Sequence, residues 1–359
     1  MNKIFLCFFL FVLSASCFAQ TQERILFIVD GIPVIDDPKN DEQPSNGDID
    51  HIKIVTDTAQ INEIGYKGKI DKIVYITTKA YLLRSDADKL IPSTKLMTRT
   101  NGLWQLNGSN TPYTGPFIDY FMNGSKEGEG TFKNGLIDGI RTVYFPNGNK
   151  RYFYTYANGI ENGASEEYFR NGNLKQKGSF INKKEVGLWQ IYYSTGKLKR
   201  ESTFINNKQA ISKEDEKFYA ILDKGIILMR EEEYDSAVKR LNDAEKLKQG
   251  YADLYFYRGT AKLDLLDFEN ALIDLNKAIE IEPLYMEAIA NRAFTRLRKY
   301  QFKDSRTLSN NNQITVLAAK DKVLIPKDEQ EKICADLNLA YSLGDDKKMI
   351  LDAMKEYCK

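Results

Sequence analysis

A chain of 359 residues, 42% hydrophobic and 28% charged, has the composition of a foldable protein with room for two or three domains. Its 51 basic and 50 acidic residues give none of the positive excess that nucleic acid selects. A single histidine, His51, excludes motifs that place two imidazoles on a metal and leaves at most one Ser-His-Asp set.

The chain opens MNKIFLCFFLFVLSASCFA, with Lys3 before an apolar run from Ile4 to Leu13 and small residues ahead of Gln20. Residues 1–19 therefore read as a signal peptide. The run is too short to span a bilayer, and no other apolar stretch approaches the roughly 18 residues a membrane helix needs. The expectation is a soluble, exported protein without a transmembrane segment: periplasmic, outer-membrane-associated or secreted. Two exits compete, cleavage after Ala19 and lipid attachment at Cys17, where LSASC approaches a lipobox but sets Leu13 one place too far from the cysteine.

Residues 22–80 carry apolar runs in RILFIVDGIPVI, DIDHIKIVTD and KIDKIVYITTK, with INEIGYKGK between the second and third. These predict a small α+β or mainly β module, with His51 inside a strand as a solvent-facing or packed imidazole. The strings IVDGIPV, DIDHIKIV, IGYKGK and IVYITTK, in that order, resemble the plug domain of TonB-dependent outer-membrane receptors. The remaining chain has no room for the barrel such a receptor needs. The acidic stretch DDPKNDEQPSNGDID lacks the spacing of a calcium loop and reads as a solvated connector. Residues 81–100 form a linker of mixed apolar and charged residues whose stiffness the sequence leaves open.

From residue 101 a period of 24 takes over. Gly115, Gly139, Gly163 and Gly187 share it, as do Gly124, Gly148, Gly172 and Gly196. Three aromatic series keep the same spacing: Tyr120, Tyr144, Tyr168, Tyr192; Phe121, Phe145, Phe169, Tyr193; and Phe132, Tyr156, Phe180, Phe204. Asn-Gly pairs between aromatic runs signal hairpins, because both residues tolerate positive φ. Residues 101–210 are therefore expected to form a single-layer antiparallel β-meander of about nine strands, neighbouring aromatics pointing to opposite faces. The strings GIRTVYFPNG and GLWQIYYSTG resemble MORN repeats of the antitoxin-like kind. The last copy drifts, with Asn182-Lys183 and Asn206-Asn207 in place of Asn-Gly, as befits a terminal unit.

Beyond the meander the period lengthens to 3.6, and a unit of 34 residues appears: Gly225, Gly259, Ala293; Tyr234, Phe268, Phe302; Ala237, Ala271, Ser305; Ala244, Ala278, with Pro283 closing the second copy. Residues 214–359 resemble tetratricopeptide repeats, an all-α solenoid. Two copies are complete. The third loses its pattern after Leu308 at SNNNQITVL, expected as a loop or insertion, and a C-terminal helical hairpin follows as a degenerate terminal repeat. The resemblance implies a concave peptide groove lined by Tyr219, Leu222, Ile226, Asp253, Phe256, Thr260, Glu287, Ala290 and Phe294. The Lys and Asn residues of a carboxylate clamp are missing from matching positions, which implies an apolar or mixed surface. The fold class is thus multidomain α+β: a small α/β plug-like module, the MORN-like meander and the tetratricopeptide solenoid.

Removal of the leader leaves two cysteines, Cys334 and Cys358, in a segment read as two short helices broken at Gly344. An antiparallel hairpin would bring them together as a disulfide in an oxidising compartment; the alternative is two thiols without a role. Carboxylate runs such as Glu166-Glu167 and Glu231-Glu232-Glu233 are read as solvated faces. No cofactor-binding or metal motif occurs. The reading is a non-enzymatic protein-binding scaffold or adaptor of the bacterial cell envelope, with protein partners and no nucleic acid. An antitoxin-like or immunity protein that neutralises a toxin is the alternative, and a glycan hydrolase the third.

Overall fold

The computed structural model describes residues 23–35, 38–63, 65, 68–206, 208–303, 307–310, 315–317 and 324–358. Residues 1–19, read as a signal peptide, lie outside the described residues together with Cys17, as do Asn207 and Ser305. The chain divides into two compact units at Gly187/Leu188, a boundary inside the repeat region, and each is described by itself.

The first unit begins with β1 (Ile25–Val29), β2 (Ile32–Pro33), β3 (Ile49–Val55), helix α1 (Thr58–Glu63) and β4 (Lys72–Thr78). Strand order is β2-β1-β4-β3, with β1 and β4 parallel. The unbroken apolar runs of β1 and β4 suit the two central strands, which are covered on both faces. Ile28, Val55, Ile61 and Ile73 form the core under α1, and Val29, Val74 and Ile76 cluster separately. Strand β3 alternates and lies at an edge; His51 is exposed there, its Nδ1 2.9 Å from Asp50.

The stretch read as a linker is structured. Helix α2 (Lys79–Leu82) is capped by the Thr78 hydroxyl and α3 (Asp86–Leu90) by that of Ser85, each accepting a backbone N–H of the first turn. Strand β5 (Met97–Thr100) then pairs with β6 (Leu103–Leu106) around Asn101-Gly102, so the hairpin starts before the aromatic period becomes visible.

The meander follows as β7 (Gly115–Tyr120), β8 (Lys126–Lys133), β9 (Leu136–Ile137), β10 (Gly139–Tyr144), β11 (Lys150–Ala157), β12 (Ile160–Tyr168), β13 (Leu174–Ile181), β14 (Lys184–Tyr192), β15 (Leu198–Ile205) and β16 (Lys208–Ala210). All pairings described among them are antiparallel. Ten strands replace the expected nine because the short β9 pairs separately with β8.

Two kinds of turn alternate. At Asn134-Gly135 and Asn158-Gly159 both residues have positive φ, 52° and 77°, then 50° and 77°, the signature of a two-residue hairpin turn. Asn182-Lys183 keeps this geometry at 49° and 67°, so the drifted copy holds its turn without glycine. At Asn123-Gly124 and Asn147-Gly148 only glycine is left-handed. There the loop is wider: the Phe121 N–H donates to the Ser125 carbonyl, and Gly124 N–H to Phe121. The strands therefore end at Tyr120, Tyr144 and Tyr168, and Phe121, Phe145 and Phe169 sit in turns. This corrects the expectation that each adjacent aromatic pair straddles a strand.

Gly124 and Gly148 share a φ of 85°, but an added Cβ would lie 2.5 Å from Ala80 Cβ at Gly124 and would meet nothing within 4 Å at Gly148. Gly148→Ala is expected to destabilise by about 1–2 kcal/mol through backbone strain alone. Gly124→Ala should lose about 1–3 kcal/mol more by overpacking. Equal denaturation midpoints for the two variants would contradict the contact.

The second unit contains helices α4 (Lys213–Arg230), α5 (Tyr234–Leu247), α6 (Ala252–Asp264), α7 (Phe268–Ile281), α8 (Met286–Gln301), α9 (Lys327–Ser342) and α10 (Lys348–Tyr357). The small residues at the 34-residue spacing sit where helices cross: a Cβ on Gly225 would lie 2.8 Å from Leu241 Cδ2, and one on Gly259 3.0 Å from Leu275 Cγ. Strands β17 (Thr307–Asn310) and β18 (Thr315–Leu317) pair where a loop or insertion was expected.

The third repeat is complete, which changes the reading of the tail. In the second repeat Arg258 forms a two-pronged pair with Asp274, and its Nη1 donates to Asn242 at 2.8 Å. In the third, Arg292 repeats this pair with Asp336 of α9, and its Nη1 donates to Asn276 at 2.9 Å. Helix α9 thus fills the place of the second helix of that repeat, displaced along the sequence by the insertion, and α10 closes the array. Ile289, Ala293, Ile333, Leu337 and Ile350 form their common core.

Cys334 and Cys358 are disulfide-bonded, with Cα atoms 5.4 Å apart. Closing a loop of 24 residues' separation stabilises by about 3.5 kcal/mol on the chain-entropy account. Reduction should lower the thermal midpoint of the helical unit, and the Cys334→Ser, Cys358→Ser double variant should show the same midpoint with or without reductant. An unchanged midpoint on reduction of the native chain would contradict a stabilising bridge.

Candidate functional site: the inner face of the helical repeats

The first helices of the three repeats, α4, α6 and α8, bring residues 34 apart into rows. The nine positions implied by resemblance divide into three groups. Leu222 and Ala290, 4% and 5% exposed, belong to the cores, Leu222 against Leu241 and Leu254 and Ala290 in the cluster with Ile333 and Leu337. They do not line a surface, because their helix face turns toward the packed partner helix.

Three more are engaged by the chain itself. Tyr219 packs edge-on against Phe218 and Tyr251, with the Arg200 guanidinium 4.6 Å above its ring. Asp253 is paired with Lys199 at 2.9 Å. The Thr260 hydroxyl donates to the Phe256 carbonyl and accepts from Asn291 Nδ2 at 2.9 Å, tying α6 to α8.

The remaining positions are Ile226, Phe256, Glu287 and Phe294. Phe256 is half-buried, its ring centroid 4.9 Å from those of Tyr257 and Tyr285. Ile226 and Phe294 are half-buried at the margins of their cores, and Glu287 is exposed.

The sequence reading missed a row. Asp223, Tyr257 and Asn291 share the 34-residue spacing, each one residue beyond the positions chosen. Burial raises the Tyr257 hydroxyl above its ordinary pKa; the charges of Asp253, Glu287 and Asp223 push the same way, and Arg230 opposes them. Three carboxylates and one guanidinium thus act on one phenol. Such a face disfavours a free carboxylate and attracts a cationic side chain.

Also missed was what the last sheet copy does. The Tyr193 hydroxyl accepts the N–H of Ala252, the first residue of α6, at 3.0 Å. The Ser194 N–H donates to Glu282 at 2.7 Å, and its hydroxyl to the other oxygen of the same carboxylate. The earlier copies have Phe121, Phe145 and Phe169 at the first of these positions, and Met122, Pro146 and Arg170 at the second. The departures from the period supply the polar atoms of this contact.

Carboxylates considered for hydrolysis do not converge. Glu166 and Glu167 are neighbours on β12 and face opposite sides of the sheet, where Tyr168 donates to the first and Tyr154 to the second at 2.5 Å. Burial and the bond to Glu166 push the Tyr168 hydroxyl up to about 12. Glu231, Glu232 and Glu233 are exposed in the turn after α4. Among the described residues, no three His, Cys, Asp or Glu side chains gather as a metal site requires, and no helix is long and apolar enough to cross a membrane.

Residues 161–182 and 185–206 match the MORN repeat variant family. Those residues span the last two copies of the 24-residue period. A search of curated proteins returns no match. Among solved structures, the helical repeats are similar to the Arabidopsis OM64 TPR domain at 21% identity and a TM-score of 0.31, covering 40% of this chain and 96% of that one. The first TPR of Spaghetti (RPAP3), bound to an HSP90 peptide, is similar at 15% identity and a TM-score of 0.31, covering 40% and 91%. The Yersinia enterocolitica translocator chaperone SycD is similar at 10% identity and a TM-score of 0.28, covering 40% and 87%.

Proposed function

We propose that this chain is a non-enzymatic protein-binding scaffold of the bacterial cell envelope, and that the inner face of its helical repeats holds an extended segment of a partner protein. The observation that carries this reading is the set left open on that face: Phe256 and Phe294 as half-buried aromatic anchors, with Glu287 and Asp223 exposed beside them. Aromatic anchors beside unpaired charge are the ordinary material of a peptide groove. Asp253 illustrates the preference, since the chain fills that position with a lysine of its own. The partner segment is therefore basic and apolar in composition.

The envelope setting is supported by the leader-like residues 1–19, by the plug-like strings of residues 22–80, and by a disulfide that suits an oxidising compartment. The test is comparative affinity capture from an envelope fraction, using the full chain and a Phe256→Ala, Glu287→Lys variant that retains its helical content. A partner recovered by the native chain and lost from the variant is expected. Identical recovery from both would remove the groove from the account.

A further inference from the structure

The first unit holds a cavity of about 590 Å3 bounded by the β1–β2 turn, α2, α3 and the end of β7. Its walls include Val34, Ile91, Pro92, Ile118 and Met122, with Arg84 among the charged residues that line it. Arg84 has a side chain only 12% exposed. Its guanidinium carbon lies over Tyr120, 3.4 Å from the ring centroid, and 5.1 Å from that of Tyr81.

What this cation lacks is an acceptor of its own. Its contact with Asp30 is 3.5 Å, at the outer limit of a hydrogen bond, and the buried Nε has no acceptor. Asp30 is already committed to the Thr78 N–H at 2.8 Å and the Thr78 hydroxyl at 2.7 Å. The other acids at the cavity are held elsewhere: Asp88 accepts from the Ser85 hydroxyl at 2.8 Å, Glu127 pairs with Lys95 at 2.5 Å, and Glu42 accepts the Lys39 N–H at 3.2 Å. Burial accordingly pulls the Arg84 guanidinium below its ordinary pKa, and the surrounding Tyr120, Asp30, Tyr81 and Asp88 only partly offset this. Buried charge is ordinarily paired, and a guanidinium fork is shaped for two oxygens of one group.

We propose that this cavity binds a small molecule with a carboxylate head and an apolar body, the carboxylate taking the open fork of Arg84 and the body lying against Val34, Ile91 and Met122. The volume is in the range of small-molecule sites, and the walls combine apolar surface with a buried guanidinium, while Lys95 and the acids at the cavity are engaged with one another or with the chain. The site is independent of the helical repeats and of the partner proposed for them.

The probe is octanoate, with octanol to remove the head, acetate to remove the body, and inorganic phosphate as an unrelated anion. Isothermal titration of the full chain should show saturable binding of octanoate and none of the other three at the same concentration. Arg84→Gln should weaken octanoate about tenfold to a hundredfold, the loss expected for one charge-assisted contact. Ile91→Trp should abolish binding by filling the cavity while leaving Arg84 in place. If Arg84→Gln fails to fold, the tryptophan variant and the octanol arm decide alone. Absence of saturable octanoate binding, equal binding of octanol, or unchanged binding by Ile91→Trp would each overturn the proposal.

Discussion

Asp274→Ala is expected to destabilise the helical unit by about 3–5 kcal/mol, the loss that follows when one partner of a buried ion pair is removed. Asp274 has a side chain 3% exposed and receives both prongs of Arg258, itself 8% exposed, together with Lys262. Burial alone would push Arg258 toward neutrality; its bonds to Asp274 and Glu245 outweigh that and hold the guanidinium above its ordinary pKa. Without Asp274, a buried cation keeps Glu245 and Asn242 but loses its two-pronged partner. Urea denaturation followed by helical circular dichroism measures the effect. The corresponding Asp336→Ala change should behave similarly if α9 completes the third repeat, because Asp336 holds Arg292 in the same way. A loss under about 1 kcal/mol, typical of an exposed pair, would contradict both the burial and the repeat assignment.

Glu282→Ala should cost about 3 kcal/mol, since the carboxylate accepts two hydrogen bonds from Ser194 and one from the Leu284 N–H at 3.0 Å. The more informative consequence is local. Amide exchange in Tyr193–Phe204 should accelerate while α5 and α7 keep their protection, because the contact with Glu282 holds the last sheet hairpin to the helices of its unit. Tyr193→Phe should act in the same direction and more weakly, by about 1 kcal/mol, through the lost acceptor for Ala252. Uniform exchange throughout the unit in the Glu282 variant would mean that Ser194 plays no part in anchoring the hairpin.

Much of this architecture was legible because repetition exposes its own constraints. Asn134-Gly135 and Asn158-Gly159 announce tight turns through positive φ, and Gly225 and Gly259 announce close helix crossings, where an added Cβ would meet Leu241 and Leu275. The groove was less legible. A 34-residue spacing fixes which residues form a row but not which way the row faces, so it assigns Leu222 and Ala290 to a surface although they are core, and passes over Tyr257 one position away. The third repeat was hidden because its second helix follows an insertion; the recurring Arg-Asp-Asn set, not sequence spacing, reveals it. Arg84 gave no signal at all, since a single arginine in a mixed segment acquires meaning only when Tyr120, from another element, lies against it.

The central claim is that the inner face of the repeats holds a partner segment. Its most direct test places a photo-crosslinking residue at position 256 of the full chain in the native envelope, with position 239, on an exposed face of α5, as the reference. Adducts to one discrete protein from position 256, absent from position 239 and suppressed by Glu287→Lys, are the predicted result. Equal, diffuse adducts from both positions would contradict it.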